Sequence, residues 1–380
     1  MPWRLTGFCL LALVWMRSSQ AEAAAYNPGG QPPYAAAILI EASTGSVLYA
    51  YRPTLPRSPA STQKILLELV VMDYLAQGKC RLTDSVTVSA RASRTGGSQV
   101  FLKQGEVLPL EELMHAIVLP SANDACVAVA EHLVGSVEKC AELMMARTRL
   151  IGLDDTYCVN VNGLDDTPEG QGNHTTAYDL SQIARTLINT YPQVLEWSSS
   201  TNLPFRNGRF MLHSTNKLLN QFEGLDGLKT GYTGRAGFCL VGTAQRRGMR
   251  LISVILGAPS ERIRRRETAR LLEWGFDNFN KAPLVLAGEP VAHVPISWGL
   301  ETAVPVTSTD SVFAVLGPGQ ERQLVRQVDV PEAQSAPVKA GQRLGTLRVS
   351  LGDSLVAQIQ LVAAQDVDRM DLLDRILSIF

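Results

Sequence analysis

Ser61 and Lys64 are the two residues of this sequence best suited to covalent chemistry. The stretch 60–76 follows Pro59 and stops before Gly78, which predicts a helix, and apolar residues on nearly every side predict that this helix is buried. Unpaired backbone N–H groups and the positive dipole end at a helix N-terminus favour a nucleophilic oxygen and an oxyanion. Lys64 follows Ser61 by one turn on the same face, so its amine can reach the serine hydroxyl.

A lysine takes up the serine proton only in its neutral form, so this chemistry requires a lowered pKa for Lys64. Burial of the helix and a second cation nearby, for which Lys229 is the candidate, both disfavour the ammonium form. We therefore predict that Ser61 is a nucleophile and that Lys64 is its base. The alternative, which applies to any single helix, is that Ser61 caps the helix and Lys64 is a solvated lysine.

A second motif, Ser121-Ala122-Asn123, follows Pro120 in a predicted loop between helices at 110–118 and 123–133. The Ser121 hydroxyl is suited to relay a proton to a leaving amine, and the Asn123 amide is suited to hold a substrate carbonyl. The alternative is that Ser121 or Asn123 caps the second helix.

The third motif, Lys229-Thr230-Gly231, opens a predicted strand just before a hairpin with arms at 237–244 and 249–256. An exposed strand edge can pair with an extended peptide. Lys229 and Thr230 would then face the terminal carboxylate of that peptide. Gly231 permits close approach of the backbone.

The three motifs in this order resemble those of serine penicillin-binding proteins and class A β-lactamases. The similarity is closest to the low-molecular-mass D-alanyl-D-alanine carboxypeptidases of peptidase family S11, and it extends from about Ala35 to Phe279. It is carried by Pro59-Ala60-Ser61-Thr62-Gln63-Lys64, Ser121-Ala122-Asn123-Asp124-Ala125, Thr215-Asn216-Lys217-Leu218-Leu219 and the stretch from Gly224 to Thr233. Ala122 stands where many relatives have glycine.

The resemblance implies that Ser61 is acylated, that Lys64 is the base and that the backbone N–H groups of Ser61 and Tyr232 form the oxyanion hole. It also implies a substrate-contacting arginine after the hairpin. Arg264 is our candidate for that residue, and the alternative is a solvated surface residue in an arginine-rich run. The chain would remove the terminal D-alanine from peptidoglycan stem pentapeptides and be inhibited by β-lactams.

Three other functions remain open from the sequence. An endopeptidase that cuts peptidoglycan cross-links would need the same residues. A β-lactamase would also need an activated water, and Glu169 is the nearest acid to such a role, because no Glu-x-x-Leu-Asn stretch lies between Asn123 and Lys229. A non-catalytic peptidoglycan-binding protein would not need Ser61 and Lys64 intact. No cofactor is implied, since the histidines are scattered and no phosphate-binding glycine motif is present.

The composition fits a globular protein of two folded units, since the chain has 380 residues, 46% of them hydrophobic. A formal net charge of −1 argues against nucleic acid as a partner. We predict an α/β (α+β) β-lactamase/transpeptidase-like domain at 26–281, with a central antiparallel sheet flanked by helices. A small all-β sandwich at 282–365 and an amphipathic helix at 366–380 are predicted to follow.

Residues 1–25 have the charged start, short apolar run and small-residue cleavage pattern of a signal peptide. We therefore expect export to the bacterial periplasm or cell envelope. The acidic helix at 366–380 is either a peripheral anchor on the inner membrane or a helix that packs on protein. After loss of Cys9 an odd number of cysteines remains, and their apolar neighbours predict buried thiols without a catalytic role.

Overall fold

The computed structural model of the chain describes residue 26 and residues 30–165, 168 and 171–371. The predicted signal peptide at 1–25, Glu169 and the end of the predicted C-terminal helix at 372–380 lie outside the described residues. The chain divides into two compact units, one ending at Asn278 and the other beginning at Phe279.

Helices of the described chain all lie in the first unit, apart from short 3-10 turns. In chain order they are α1 (Lys64–Ala76), α2 (Ala90–Ser93), α3 (Leu110–Val118), α4 (Asn123–Val134), α5 (Val137–Leu150), α6 (Ala177–Thr190), α7 (Val194–Ser198) and α8 (Glu261–Asn278). The predicted helices at 60–76, 110–118 and 123–133 are confirmed, with the first beginning as a 3-10 turn at Ala60–Gln63.

Strands of the first unit form one five-stranded sheet and two small ribbons. They are β1 (Ala36–Glu41), β2 (Val47–Tyr51), β3 (Ser85–Thr87), β4 (Val107–Pro109), β5 (Asn202–Phe205), β6 (Phe210–His213), β7 (Leu225–Thr233), β8 (Gly237–Arg246) and β9 (Met249–Ala258). The large sheet has the order β2-β1-β9-β8-β7 and is antiparallel throughout. Strand β7 is therefore an edge strand, which leaves one side of its backbone open to an added peptide.

Helix α1 lies inside the first unit. Every residue from Lys64 to Met72 is buried, which confirms the prediction from its apolar composition. The helix ends at Ala76, and Gly78 follows with a φ of 68° that reverses the chain at little steric cost. Because α1 has no solvent face over its first turns, polar side chains placed there must find protein partners.

The second unit is all-β, as predicted. Its strands are β10 (Asn280–Val285), β11 (Pro290–Ser297), β12 (Ala303–Thr307), β13 (Val312–Leu316), β14 (Leu324–Asp329), β15 (Gln334–Ser335), β16 (Arg343–Leu351) and β17 (Ser354–Ala363). They form a six-stranded sheet of order β14-β16-β17-β12-β11-β15 and a β10-β13 ribbon that shares its hydrophobic core. The predicted domain boundary at 281–282 falls inside β10.

The start of the predicted C-terminal helix is extended instead. Val367 forms a bridge with Val338, and Arg369 forms one with Gly299. The backbone N–H of Val367 donates to the carbonyl of Val338, and the reverse bond is also made. The helix prediction is therefore wrong for residues 366–371, because pairing with the β unit satisfies these backbone groups and buries the Val367 side chain. Across the residues that the structure describes, no helix is both long and apolar enough to span a bilayer.

Candidate active site

The residue before the proposed nucleophile has an unusual backbone conformation. Ala60 adopts a φ of 48°, and the 3-10 turn Ala60–Gln63 then runs directly into α1. Left-handed backbone at an alanine costs about 1–2 kcal/mol, so this turn must be held by its surroundings. Two side chains hold it: Thr62 donates to the Pro59 carbonyl at 2.5 Å, and Gln63 donates to the carbonyl of Asn160. Ser61 is half-buried at this turn.

The amine of Lys64 joins two of the predicted motifs. Its Nζ lies 2.8 Å from Ser61 Oγ, 2.8 Å from the carbonyl oxygen of Ser121 and 3.0 Å from Ser121 Oγ. It also donates to Asn123 Oδ1 at 2.6 Å. An ammonium has three protons for these four oxygens, whereas a neutral amine can accept from the Ser61 hydroxyl through its lone pair and donate its two protons to two of the other three oxygens. The contacts therefore suit a lysine that takes a proton from Ser61.

Burial favours the neutral form of this lysine. Lys64 is 1% exposed, and burial lowers its pKa to about 8, although nearby Cys126 and Asp124 act in the opposite direction. Lys229, 3% exposed, has its pKa lowered by burial and then by the charge of Lys64. The sequence prediction assigned part of the shift at Lys64 to Lys229, but burial is the leading cause at both sites.

Ser121 and Asn123 are placed by backbone bonds rather than by capping. Ser121 lies in the predicted loop with a φ of 68°, whereas Asn123 is the first residue of α4. The Asn123 backbone N–H donates to the Ser98 carbonyl at 2.7 Å, and its Nδ2 donates to the Gly96 carbonyl at 2.9 Å. Neither side chain caps α4, so the capping alternative is wrong. One N–H of the Asn123 amide is still available to a substrate carbonyl.

The third motif lies on edge strand β7. The Lys229 amine donates to the Thr230 carbonyl at 3.3 Å, and the hydroxyls of Thr230 and Thr215 lie 2.6 Å apart. Both motif side chains are buried, at 3% and 6% exposure. When the Lys229 amine is protonated, it and the neighbouring hydroxyl are suited to bind a carboxylate through charge-assisted hydrogen bonds.

Two glycines allow other segments to reach the nucleophile's backbone. A Cβ on Gly231 would lie 3.1 Å from the Ser61 nitrogen and 3.0 Å from the Thr62 nitrogen, so β7 passes directly beside the turn. A Cβ on Gly163 would lie 1.9 Å from the Ala60 carbonyl oxygen and 3.2 Å from the Ser61 nitrogen. The close approach predicted for Gly231 is therefore observed, and Gly163 provides a second one that the sequence did not reveal.

Tyr232 and Arg264 both contact Phe238 of β8 but differ in exposure. The Tyr232 ring is 58% exposed and packs on Phe238, with the ring centroids 4.2 Å apart. Arg264 is 5% exposed and donates to the carbonyls of Gly231 and Cys239 at 3.2 and 3.3 Å. The alternative of a solvated Arg264 is thus wrong, because the guanidinium supports the backbone of β7 and β8 from within the core.

The described cysteines are all free and buried, namely Cys80, Cys126, Cys140, Cys158 and Cys239. Burial raises the pKa of the Cys126 thiol to about 11, so the thiolate needed for nucleophilic chemistry is disfavoured there.

Glu68 on α1 is a buried ionisable residue that the sequence did not single out. A carboxylate in the middle of an otherwise apolar helical stretch was the signal that could have revealed it.

Known proteins resemble this chain over both of its units. A family model described as D-alanyl-D-alanine carboxypeptidase (peptidase family S11) matches residues 25–260. A second model, described as penicillin-binding protein 5, C-terminal domain, matches residues 279–369. The D-alanyl-D-alanine carboxypeptidase DacF of Bacillus subtilis is 32% identical over 337 residues, which are 88% of this chain and 85% of that protein. DacC of Escherichia coli is 32% identical over 347 residues, covering 89% and 85%.

Solved structures give the same result. Penicillin binding protein 5 from Haemophilus influenzae matches with a TM-score of 0.78 and 29% identity, over 90% of this chain and 100% of that one. Penicillin-binding protein D2 from Listeria monocytogenes, in its ampicillin-bound form, matches with a TM-score of 0.60 and 30% identity, over 66% of this chain and 100% of that one. The chain therefore belongs to the family of serine D-alanyl-D-alanine carboxypeptidases, S11.

Proposed function

We propose that this chain removes the terminal D-alanine from peptidoglycan stem pentapeptides through an acyl-enzyme on Ser61. The observation that carries the proposal is the buried amine of Lys64, 2.8 Å from the Ser61 hydroxyl and with a pKa lowered by burial to about 8. An amine so placed can accept the serine proton near neutral pH, which a solvated lysine cannot do.

The acylation step uses residues of all three motifs. The Ser61 proton passes to Lys64 as Oγ bonds to the carbonyl carbon of the penultimate D-alanine. The oxyanion that forms is stabilised by the backbone N–H groups of Ser61 and Tyr232, a role supported by the close approach of β7 to the turn. The peptide C–N bond then breaks, and the proton returns from Lys64, through Ser121, to the leaving D-alanine. Water finally hydrolyses the ester and releases the shortened peptide.

Substrate recognition is assigned to β7 and its neighbours. Lys229 and Thr230 bind the terminal carboxylate, and the Asn123 amide binds a substrate carbonyl. An extended peptide pairs with the edge of β7, and Gly231 lets this strand lie directly beside the Ser61 turn. A direct substrate contact of Arg264 stays a prediction, while its bonds to the Gly231 and Cys239 carbonyls support a role in holding the strand that the substrate contacts.

β-Lactams are proposed to enter the same reaction path as covalent inhibitors. The ampicillin-bound structure of the Listeria relative supports this, because that protein matches 66% of this chain at 30% identity. Export to the periplasm or cell envelope would follow from the signal-like residues 1–25. Peripheral membrane contact through the acidic residues 366–380 stays a prediction.

The proposal is tested with the purified chain, incubated separately with benzylpenicillin and with an N-acylated L-Lys-D-Ala-D-Ala peptide. We expect a penicillin adduct by intact mass and free D-alanine from the peptide, both lost in Ser61→Ala. Ser58→Ala is the matched control, because Ser58 is half-buried just before the turn and donates to Asp165 instead of contacting Lys64. If the unaltered chain gives neither adduct nor D-alanine, the proposed function is wrong.

A further inference from the structure

A carboxyl group lies in the interior beside the proposed site and has no role in the mechanism above. Glu68 follows Lys64 by one helical turn on α1, and such i, i+4 residues share a helix face. It is 3% exposed, and its Oε1 has no hydrogen-bond partner. Helix α1 packs against β7, the strand that carries Lys229. Burying a carboxyl group without a full set of hydrogen-bond partners destabilises the fold, so the presence of Glu68 at this position needs a physical explanation.

The proposed mechanism sets a requirement that two lysines alone do not meet. Lys64 must be neutral to accept a proton, while Lys229 must be charged to bind a carboxylate. Both amines are fully buried, and each positive charge disfavours the other. Without a further group, either lysine can be the one that loses its proton. The site therefore needs a charge that distinguishes them.

The groups that face the pair come from three elements. Asp124 and Cys126 on α4 act on Lys64, and Arg264 on α8 acts on Lys229. The Asp124 carboxylate accepts hydrogen bonds from the backbone N–H groups of Val100 at 3.2 Å and Leu102 at 3.0 Å. These bonds already stabilise part of its negative charge. Cys126 also faces Lys229, but its thiol stays protonated because burial raises its pKa to about 11. Glu68 is the carboxyl group that acts on Lys229.

We propose that Glu68 is a positioning residue that acts through Lys229: its carboxylate keeps the charge on Lys229 and thereby leaves Lys64 as the neutral base. This inference rests on the proposed function, since it explains how one site holds a base and a carboxylate-binding cation made from the same residue type.

Two shifts support this assignment. Burial raises the pKa of Glu68 to about 8, with Lys229 opposing the rise, and burial lowers the pKa of Lys64 to about 8. As the pH rises through this interval, Lys64 and Glu68 lose their protons together. The carboxylate that appears then opposes loss of the proton from Lys229. The productive state, with neutral Lys64 and charged Lys229, is thus favoured on the alkaline side.

The test compares Glu68→Gln with Glu267→Gln in the full chain. Glu267 is a matched control, because it is 1% exposed and its Oε2 also lacks a hydrogen-bond partner, but it lies on α8 and pairs with Arg266. For each variant we measure two quantities from about pH 6 to about pH 11, at intervals of about one pH unit. The first is kcat and KM for the D-Ala-D-Ala peptide, and the second is the rate of acylation by a fluorescent penicillin.

We expect Glu68→Gln to move the alkaline limb of kcat/KM to lower pH by about one unit or more, since that is the usual effect of removing a neighbouring opposite charge. At alkaline pH the loss should be about tenfold and should appear mainly in KM. Glu267→Gln should leave both limbs in place. Below a pH of about 8, thermal unfolding of Glu68→Gln should match that of the unaltered chain, because the Glu68 carboxyl is then protonated and as neutral as the amide that replaces it.

An unmoved alkaline limb in Glu68→Gln overturns the inference, and so does an even loss at every pH accompanied by earlier unfolding, which would indicate a structural role. The alkaline limb of the pH profile for penicillin acylation is measured independently of peptide turnover. If the unaltered chain acylates but releases no D-alanine, the proposed function fails, while the shift of the acylation limb still decides the role of Glu68.

Discussion

Gly163→Ala tests how closely the backbone around Ser61 is held. Gly163 has a φ of +82°, and a Cβ there would lie 1.9 Å from the Ala60 carbonyl oxygen. Carbon and oxygen in contact normally lie about 3.3 Å apart, so the two backbones would have to separate by about 1.4 Å. Ala60 directly precedes Ser61, and the Ser61 nitrogen lies 3.2 Å from the same Cβ position. The displacement would therefore fall on the nucleophile and the proposed oxyanion hole.

The Gly163→Ala substitution has two effects, backbone strain and displacement of the Ser61 turn, and a control variant separates them. Placing alanine at a positive φ costs about 1–2 kcal/mol of stability wherever it occurs. Gly152→Ala carries that cost alone, since Gly152 has a φ of +73° and no atom within 4 Å of its Cβ position. A displacement of about 1 Å at reacting groups can lower a rate about 100-fold. We thus expect both variants to lose similar stability from strain, with the large loss of acylation confined to Gly163→Ala.

The assay measures the rate constant of acylation by a fluorescent penicillin and, in the same preparations, thermal unfolding. Gly152→Ala should acylate within about twofold of the unaltered chain, and Gly163→Ala about 100-fold more slowly. Equal acylation rates for the two alanine variants would refute the reasoning that Gly163 sets the position of Ser61.

Two further predictions concern the lysine base and the support of β7. The acylation rate should rise with pH through about 8, because Lys64 is protonated and inactive below its pKa and neutral above it. An acylation rate that changes by less than about twofold between about pH 6 and about pH 9 would contradict this prediction. Arg264→Met removes the donor to the Gly231 and Cys239 carbonyls, and we expect a loss of about 2–3 kcal/mol in unfolding free energy and slower acylation, measured by denaturant unfolding and penicillin labelling. Unchanged stability in Arg264→Met would show that these bonds contribute little.

The Ser61 and Lys64 pair was predictable because its geometry is local. One helical turn fixes the distance between the two side chains, and the apolar helix around them fixes their burial. The hairpin of β8 and β9 was likewise readable from two apolar runs and the turn residues between them.

Contacts between distant segments were not predictable in this way. Gly163 and Arg264 lie against residues far along the chain, the partner proposed for Glu68 is equally distant, and no pattern around these residues specifies those partners. The segment at 366–371 shows the same limit, because Val367 fits a helical repeat in the sequence but pairs with Val338 in the structure. Tertiary pairing overrides local periodicity where a sheet offers backbone partners.

The most direct test of Ser61 as the acylated nucleophile is an experimental structure of the chain after its reaction with a β-lactam. We predict a covalent bond from Ser61 Oγ to the former lactam carbon, with the carbonyl oxygen about 2.7–3.1 Å from the backbone nitrogens of Ser61 and Tyr232. The inhibitor carboxylate should face Lys229 and Thr230. An adduct on any other residue, or a carbonyl oxygen directed away from those two nitrogens, would show that the proposed mechanism is wrong.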